Sequence, residues 1–346
     1  MPAGEPPHGT GLLGYHRRMA SASGARGRLR RSDPASQGIT RRRRGTGWSF
    51  RTPDGETVRD AAERQRLLDL AVPPAWRRVW ISPDPRGHIQ AVGIDEAGRR
   101  QYIYHPAWHQ RQAKKKFDRV LAVGPALPAA RRKVTVLLRS GGTGLACAQA
   151  AAFRLLDRFG IRVGGEEYAE AHGTYGLTTM LGEHVQVSGE HVRLSFLGKS
   201  HQPVELETRD RDLAEALSDL RGRRDEPALR WHGEDGWTGL SGPQVNEFLQ
   251  EVTGIEMTAK DFRTWHATVH AARALARLHD PAASPTRRRR AVNTALDEVA
   301  GFLCNTRAIA RSSYVDPRVI DRFMDGETLE AKTYHSAERR LPDFLG

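Results

Sequence analysis

The chain of 346 residues is short of three things, and each shortage removes a class of protein. It has two cysteines, Cys147 and Cys304, too few for a disulfide framework or a cysteine-based zinc site, so both read as small buried hydrophobes. It has no run of about 18 apolar residues and begins with a polar, arginine-rich stretch, which argues against a membrane span or signal peptide and for a cytoplasmic protein. Nor does a P-loop, the glycine-rich cradle for nucleotide phosphates, occur anywhere.

What the chain has in excess is positive charge, with 54 Lys and Arg against 41 Asp and Glu, a net +13. A polyanionic partner is the first implication, although a solvated basic face or a membrane-surface binder would share the property. The excess is uneven. Residues 1–44 hold ten arginines against Glu5 and Asp33, so eight of the thirteen charges lie there. Rich in Gly, Ala, Ser and Pro and poor in apolar residues, residues 1–36 predict a disordered basic tail, within which Met19 is an alternative start.

From Ile39 the pattern changes. The run Arg41, Arg42, Arg43, Arg44 passes through Gly45-Thr46-Gly47 into strand-like alternation over Trp48 to Arg51. A helix over 60–70 stops at Pro73-Pro74, and short strands at 79–81, 89–94 and 101–104 are separated by Pro- and Gly-containing turns. This predicts a small antiparallel sheet over 37–115. Beyond His105-Pro106 the period becomes helical, with helices at 108–123, 128–138, 145–159, 211–220, 243–251, 259–278 and 288–303. Between them Val185 and Val187, then Val192, Leu194 and Phe196, then Val204 and Leu206 alternate with polar residues and predict a three-stranded meander. The fold class is α+β, a small β-rich N-terminal domain and a larger, mostly helical domain over 116–346.

Several residues could carry chemistry. In Cys304-Asn305-Thr306-Arg307, Asn305 and Thr306 are both good N-caps, predicting a break and a short helix over 307–313 with Tyr314 at its end and Pro317 opening another. Without that break, Asn305 and Tyr314 would fall on opposite faces of one helix. Arg162 follows a helix within Gly160-Ile161-Arg162-Val163-Gly164-Gly165, where the glycines would let a ligand approach, though an isolated arginine between helices is more often an ion-pair member. Lys199 stands at a hairpin tip, where lysine is commonest for solubility. Arg263 lies one turn into a helix capped by Thr258 and Asp261, a place suited to phosphate. The plainer reading of that helix is amphipathic, with Phe262, Val269, Ala272 and Ala276 as its core side.

Taken together, Arg162, Lys199, Arg263, Asn305 and Tyr314 carry a resemblance. With Gly-Lys-Ser on a hairpin, Lys-Asp-Phe-Arg-Thr-Trp at a helix start and Tyr-Val-Asp-Pro near the end, the chain resembles the type IB DNA topoisomerases of the bacterial, poxvirus-like kind. The likeness spans roughly residues 38–326 and includes Pro-Pro-Ala-Trp, Gln-Tyr-Ile-Tyr-His-Pro and Arg-Val-Gly-Gly-Glu-Glu-Tyr. It implies a two-domain clamp around duplex, especially supercoiled, DNA, acting as a monomer without ATP, metal or other cofactor. Tyr314 would be the nucleophile, Arg162, Arg263 and Asn305 the donors to phosphate, and Lys199 the acid, with Lys260 assisting. Gln101, Tyr102, Tyr104 and Tyr168 would touch DNA, and Arg41 to Arg44 add basic contacts; sheet packing is the plain alternative for the two strand tyrosines.

The chain departs from the family pattern in places. Viral members carry histidine where Asn305 stands, but an amide N–H can donate to a non-bridging oxygen as a neutral imidazole can. Relatives tend to read Gly-Asn-Thr-Pro where this chain has Cys304-Asn305-Thr306-Arg307, and Arg307 could add a phosphate contact. Residue 165 is glycine where the viral enzymes have lysine. Two other readings stay open here: a tyrosine recombinase, which expects histidine where Lys260 stands, and a basic DNA-binding protein without catalysis.

Overall fold

The computed structural model describes residues 28–346 except 166–168, 170 and 172. The chain divides into two compact units, meeting in sequence between Lys115 and Lys116.

The N-terminal unit is built on strands β1 (Ile39–Arg44) and β2 (Gly47–Arg51), helix α1 (Ala61–Asp69), and strands β3 (Arg77–Ile81), β4 (Ile89–Ile94) and β5 (Arg100–Tyr104). The five strands form one antiparallel sheet in the order β2-β1-β3-β4-β5. β1 meets β3 only through Ile39 and Thr40, so Arg41 to Arg44 lie where β1 pairs β2 alone. Inside, Ile39, Phe50, Leu67, Leu70 and Ile81 make the core under α1. Asp60 starts α1 by accepting the Glu63 N–H at 2.6 Å.

The tail ends earlier than composition implied. Arg30 and Arg86 pair backbone to backbone, the Ser32 N–H donates to His88 Nδ1, and Trp80 Nε1 donates to the Ser36 carbonyl. Composition counts apolar area, and this segment is held by hydrogen bonds instead, so the disorder expected up to residue 36 does not extend over 30–36.

Helix α2 (Pro106–Leu121) runs across the boundary. The C-terminal unit continues with α3 (Val123–Ser140), α4 (Leu145–Phe159), strands β6 (Val185–Ser188), β7 (His191–Gly198) and β8 (Gln202–Arg209), α5 (Arg211–Leu220), hairpin β9 (Arg230–Gly233) and β10 (Gly236–Gly239), then α6 (Gly242–Thr253), α7 (Ala259–Arg277), α8 (Pro285–Leu303), α9 (Arg307–Ser313), α10 (Pro317–Met324) and α11 (Tyr334–Leu345). β6, β7 and β8 form the antiparallel meander, with Val185, Leu194, Phe196 and Val204 turned to the core.

α7 is the centre of this unit and is buried far beyond one side, including Arg263, Thr264, Trp265 and His266. Among its buried polar members Trp265 Nε1 donates to Glu338 at 3.0 Å, whereas Arg263 Nε and His266 Nε2 have no hydrogen-bond partner among the described residues. Phe153 meets Phe262 edge to face at 5.3 Å. A Cβ on Gly124 would stand 2.4 Å from the Trp265 ring, so glycine lets α3 close on α7. Hairpin β9–β10 carries little periodic signal, its four-residue strands being rich in glycine, whereas helix α11 buries Ala337, Leu341 and Leu345 at helical spacing and contains Pro342.

Candidate active site

The stretch after α8 breaks at Asn305-Thr306. α8 ends on Cys304, which takes the left-handed conformation (φ 48°). The Thr306 hydroxyl accepts the Ile309 N–H at 3.3 Å and starts α9, and Tyr314 closes α9 by donating its N–H to the Ala310 carbonyl. Asp316 caps α10, and the Thr268 hydroxyl donates to the Tyr314 carbonyl at 3.3 Å. The break brings Asn305 and Tyr314 to one cleft of about 520 Å³, lined also by Arg162, Lys199, Cys304 and Ile309.

Arg162 reaches the cleft from the segment that follows α4. Gly160 ends α4 in the left-handed conformation, and the next residues are held by N–H groups of Leu177 and Thr178 donating to the carbonyls of Arg162 and Val163 at 2.8 and 2.7 Å. A Cβ on Gly176 would lie 2.6 Å from the Gly164 nitrogen. A Cβ on Gly164 itself would stand 2.7 Å from Thr179 Oγ1, so glycine at both positions lets the two segments close. The Arg162 guanidinium donates to Asn305 Oδ1 at 2.6 Å, which leaves the Asn305 amide nitrogen, buried and without a partner among the described residues, as the group turned to other use.

Arg263 is 5% exposed. Two of its N–H groups go to the carbonyls of Gly160 and Leu303, its Nε is buried without a hydrogen-bond partner among the described residues, and its guanidinium lies 5.1 Å from the centre of the Tyr314 ring. Burial alone would raise the Tyr314 phenol, but the charge of Arg263 and its hydrogen bond to the phenol, with the charges of Arg162 and Lys260, outweigh it and hold the group below its ordinary value. Burial, with Arg162 adding like charge, lowers Arg263. Lys260 is exposed in the first turn of α7, where Asp261 completes the capping box with Thr258 and accepts from Arg119 at 2.8 Å.

Lys199 is exposed at the β7–β8 connection, followed by Ser200 and His201, both left-handed (φ 62° and 54°). Arg307 does not project into the cleft as a spare cation, because Asp297 accepts both ends of its guanidinium at 2.5 and 2.6 Å.

In the N-terminal unit, Tyr102 and Tyr104 lie on the edge strand β5, stacked 5.9 Å apart, with Arg100 over the first and Trp108 stacked on the second. Gln101 donates to Asp95 at 2.9 Å. Arg42, Arg43 and Arg44 are exposed, whereas Arg41 is consumed structurally: it donates to the carbonyls of Val72, Pro73 and Trp76 and stacks 4.0 Å from the Trp48 ring centre. Tyr168 lies outside the described residues.

Sequence reasoning passed over Lys116. Its ammonium donates to the Ser313 carbonyl and stands 5.7 Å from the Tyr314 ring centre. In a Lys114-Lys115-Lys116 run it resembles a solvated helix face; only the phase that aligns it with the buried Val120, four residues on, distinguishes it.

The family model described as the eukaryotic DNA topoisomerase I catalytic core matches residues 105–339, and that of the bacterial DNA topoisomerase IB N-terminal domain matches residues 47–95. The DNA topoisomerase 1B of Acanthamoeba polyphaga mimivirus is 27% identical over 287 residues, covering 81% of this chain and 85% of that protein.

Proposed function

Because the chain belongs to the type IB DNA topoisomerases, isomerases that act on DNA, we propose that Tyr314 relaxes duplex DNA by reversible transesterification, preferring supercoiled substrate and working as a monomer. The phenol oxygen of Tyr314 attacks a backbone phosphorus and the bond to the 5′ oxygen breaks. The products are a 3′-phosphotyrosyl link and a free 5′-hydroxyl strand, which swivels and then attacks the phosphotyrosine to restore the duplex. One phosphodiester is exchanged for another of like energy, so the cycle needs no ATP and no redox partner.

The observation that carries this reading is the pair of buried donors without hydrogen-bond partners among the described residues, Arg263 Nε and the Asn305 amide nitrogen, in the group that holds Tyr314. Buried N–H groups left unpaired cost free energy, and a phosphate oxygen would satisfy them where negative charge develops. Arg162 fixes the Asn305 amide so that its N–H is the end presented. The lowered Tyr314 phenol makes the oxygen a better nucleophile near neutral pH. Lys199, exposed on the same cleft, supplies the proton to the departing 5′ oxygen, and Lys260 adds positive charge from the α7 start. On the N-terminal unit, Arg42 to Arg44 add basic contacts and Gln101, Tyr102 and Tyr104 touch the DNA groove, while Tyr168, in the C-terminal unit, contacts the DNA backbone.

The test is relaxation of a supercoiled plasmid in EDTA without ATP, with detergent trapping of the covalent complex. Wild type relaxes and is trapped; Tyr314→Phe does neither while retaining its non-covalent DNA affinity. A Tyr314→Phe protein that still forms a phosphotyrosyl adduct removes the assignment.

A further inference from the structure

Lys116 is the first residue of the C-terminal unit, on the helix that leads into it. Its ammonium is bonded to the Ser313 carbonyl, the residue before Tyr314, and packs against the ring faces of Phe117 and Tyr314 at 4.8 and 5.7 Å from their centres. Ser313 ends α9, where carbonyls lack intrahelical partners and a cation is favoured. Tyr314 itself sits outside helical geometry (φ −131°, ψ −35°), so the turn that aims its ring is held by few bonds: its own N–H to Ala310, its carbonyl from Thr268, and the lysine on the preceding carbonyl.

We propose that Lys116 is a positioning residue for the nucleophile: its ammonium anchors the end of α9 through the Ser313 carbonyl and thereby sets Tyr314 for attack. This rests on the reading of Tyr314 given above and adds to it. The anchor depends on the proton that Lys116 carries, because an ammonium makes a charge-assisted hydrogen bond roughly twice as strong as that of a neutral amine. Burial first, then the like charge of Lys260 on α7, lower the ammonium to about 8; Arg119 on its own helix acts the same way, while Asp261 on α7 and Asp316 before α10 oppose. The sign follows. The anchor is full below that value and is lost as pH rises through it. A bound phosphate adds negative charge and moves the midpoint upward, to between about 8 and the ordinary lysine value of 10.5.

The test is single-turnover cleavage on saturating DNA for wild type, Lys116→Gln, Lys116→Met and Lys116→Arg across this pH range. Lys116→Gln keeps a donor without the charge, Lys116→Met removes both, and Lys116→Arg keeps a charge that does not titrate. At pH 7 both neutral variants are expected to cleave about 10- to 100-fold more slowly, the worth of one charged hydrogen bond, with non-covalent affinity changed little. The ratio of wild type to Lys116→Gln should then close as pH rises, because the wild type loses its charge while ionisation of Tyr314 affects both alike. Lys116→Arg, if its guanidinium reaches the carbonyl, shows no such decline.

A ratio that stays constant with pH means a merely structural role, and a ratio near one at pH 7 means none; either overturns the proposal. Failure of the underlying reading is visible separately, as wild-type protein that forms no Tyr314-dependent adduct on the same gel. A thermal melt of each variant identifies unfolding, and Lys116→Gln, the closest in shape, decides the matter should Lys116→Met fail to fold.

Discussion

Lys199 and Arg263 line neighbouring parts of one site yet differ in exposure, and their losses should differ in kind. Arg263 is buried, with its guanidinium bonded to two carbonyls, so in the proposed reaction its part would be to stabilise charge and not to give up a proton. Lys199 is exposed beside two left-handed residues and can deliver a proton to an alkoxide, which leaves poorly without one. Lys199→Ala should therefore slow cleavage by about 10² to 10⁴-fold with little change in binding. Replacing the bridging 5′ oxygen with sulfur should restore most of that rate, since a thiolate leaves unprotonated, while Arg263→Ala stays slow on both substrates. Sulfur that fails to rescue Lys199→Ala would move the lysine to a purely electrostatic role. Asn305→Ala should be milder, about 10- to 1,000-fold, because one donor among several is lost; wild-type cleavage there would take Asn305 out of the site. Residue identity in the motifs was enough to nominate these side chains. It could not show that Arg162 holds the Asn305 amide, that Asp297 takes Arg307, or that Arg41 belongs to backbone carbonyls, because each is a contact between residues distant in sequence.

At the scale of elements, the break between α8 and α9 decides whether a site exists at all. The N-cap chemistry of Thr306 was legible and so was the short helix after it, because capping is a local interaction. α9 forms although Arg307 stands where relatives tend to have proline; its start rests on the Thr306 hydroxyl and its first turn on the Arg307–Asp297 pair. What the sequence concealed is that Cys304 must adopt a left-handed backbone, a conformation in which glycine is free of the Cβ clash that costs other residues about 1 to 2 kcal/mol. Cys304→Gly is thus expected to raise unfolding stability by about 1 kcal/mol in urea titration, part of the gain being offset by glycine's looser unfolded chain. A destabilised Cys304→Gly protein would show that the thiol's packing outweighs the backbone term. Hairpin β9–β10 was not legible because its four-residue strands are short and rich in glycine; helix α11 was passed over although Ala337, Leu341 and Leu345 fall at helical spacing, Pro342 being the residue that argues against a helix there.

For the whole molecule, the open question is how charge is divided between chemistry and attraction. No helix among the described residues is long and apolar enough to cross a membrane, and eight of the thirteen net positive charges lie in residues 1–44. Composition made the two-part character and the basic start legible; it misjudged where the tail ends, because Arg30, Ser32 and Ser36 are hydrogen-bonded to the N-terminal unit without burying much apolar area. That difference sharpens the experiment. Deleting residues 1–27 removes Arg17, Arg18 and Arg26 and none of these bonds. If all three arginines touch phosphates, the slope of log affinity against log salt should fall by about 0.9 per contact, about 2.7 in all. Single-turnover cleavage on saturating DNA should hardly change, since no site residue is touched. Deleting residues 1–36 should, in addition, lower the unfolding midpoint of the N-terminal unit, because the pairing of Arg30 with Arg86 and the bond from Trp80 to Ser36 go with it. An unchanged salt slope in the shorter deletion would assign the basic start no part in DNA binding, and the exposed Arg42, Arg43 and Arg44 on the β1–β2 ribbon would become the next cations to remove.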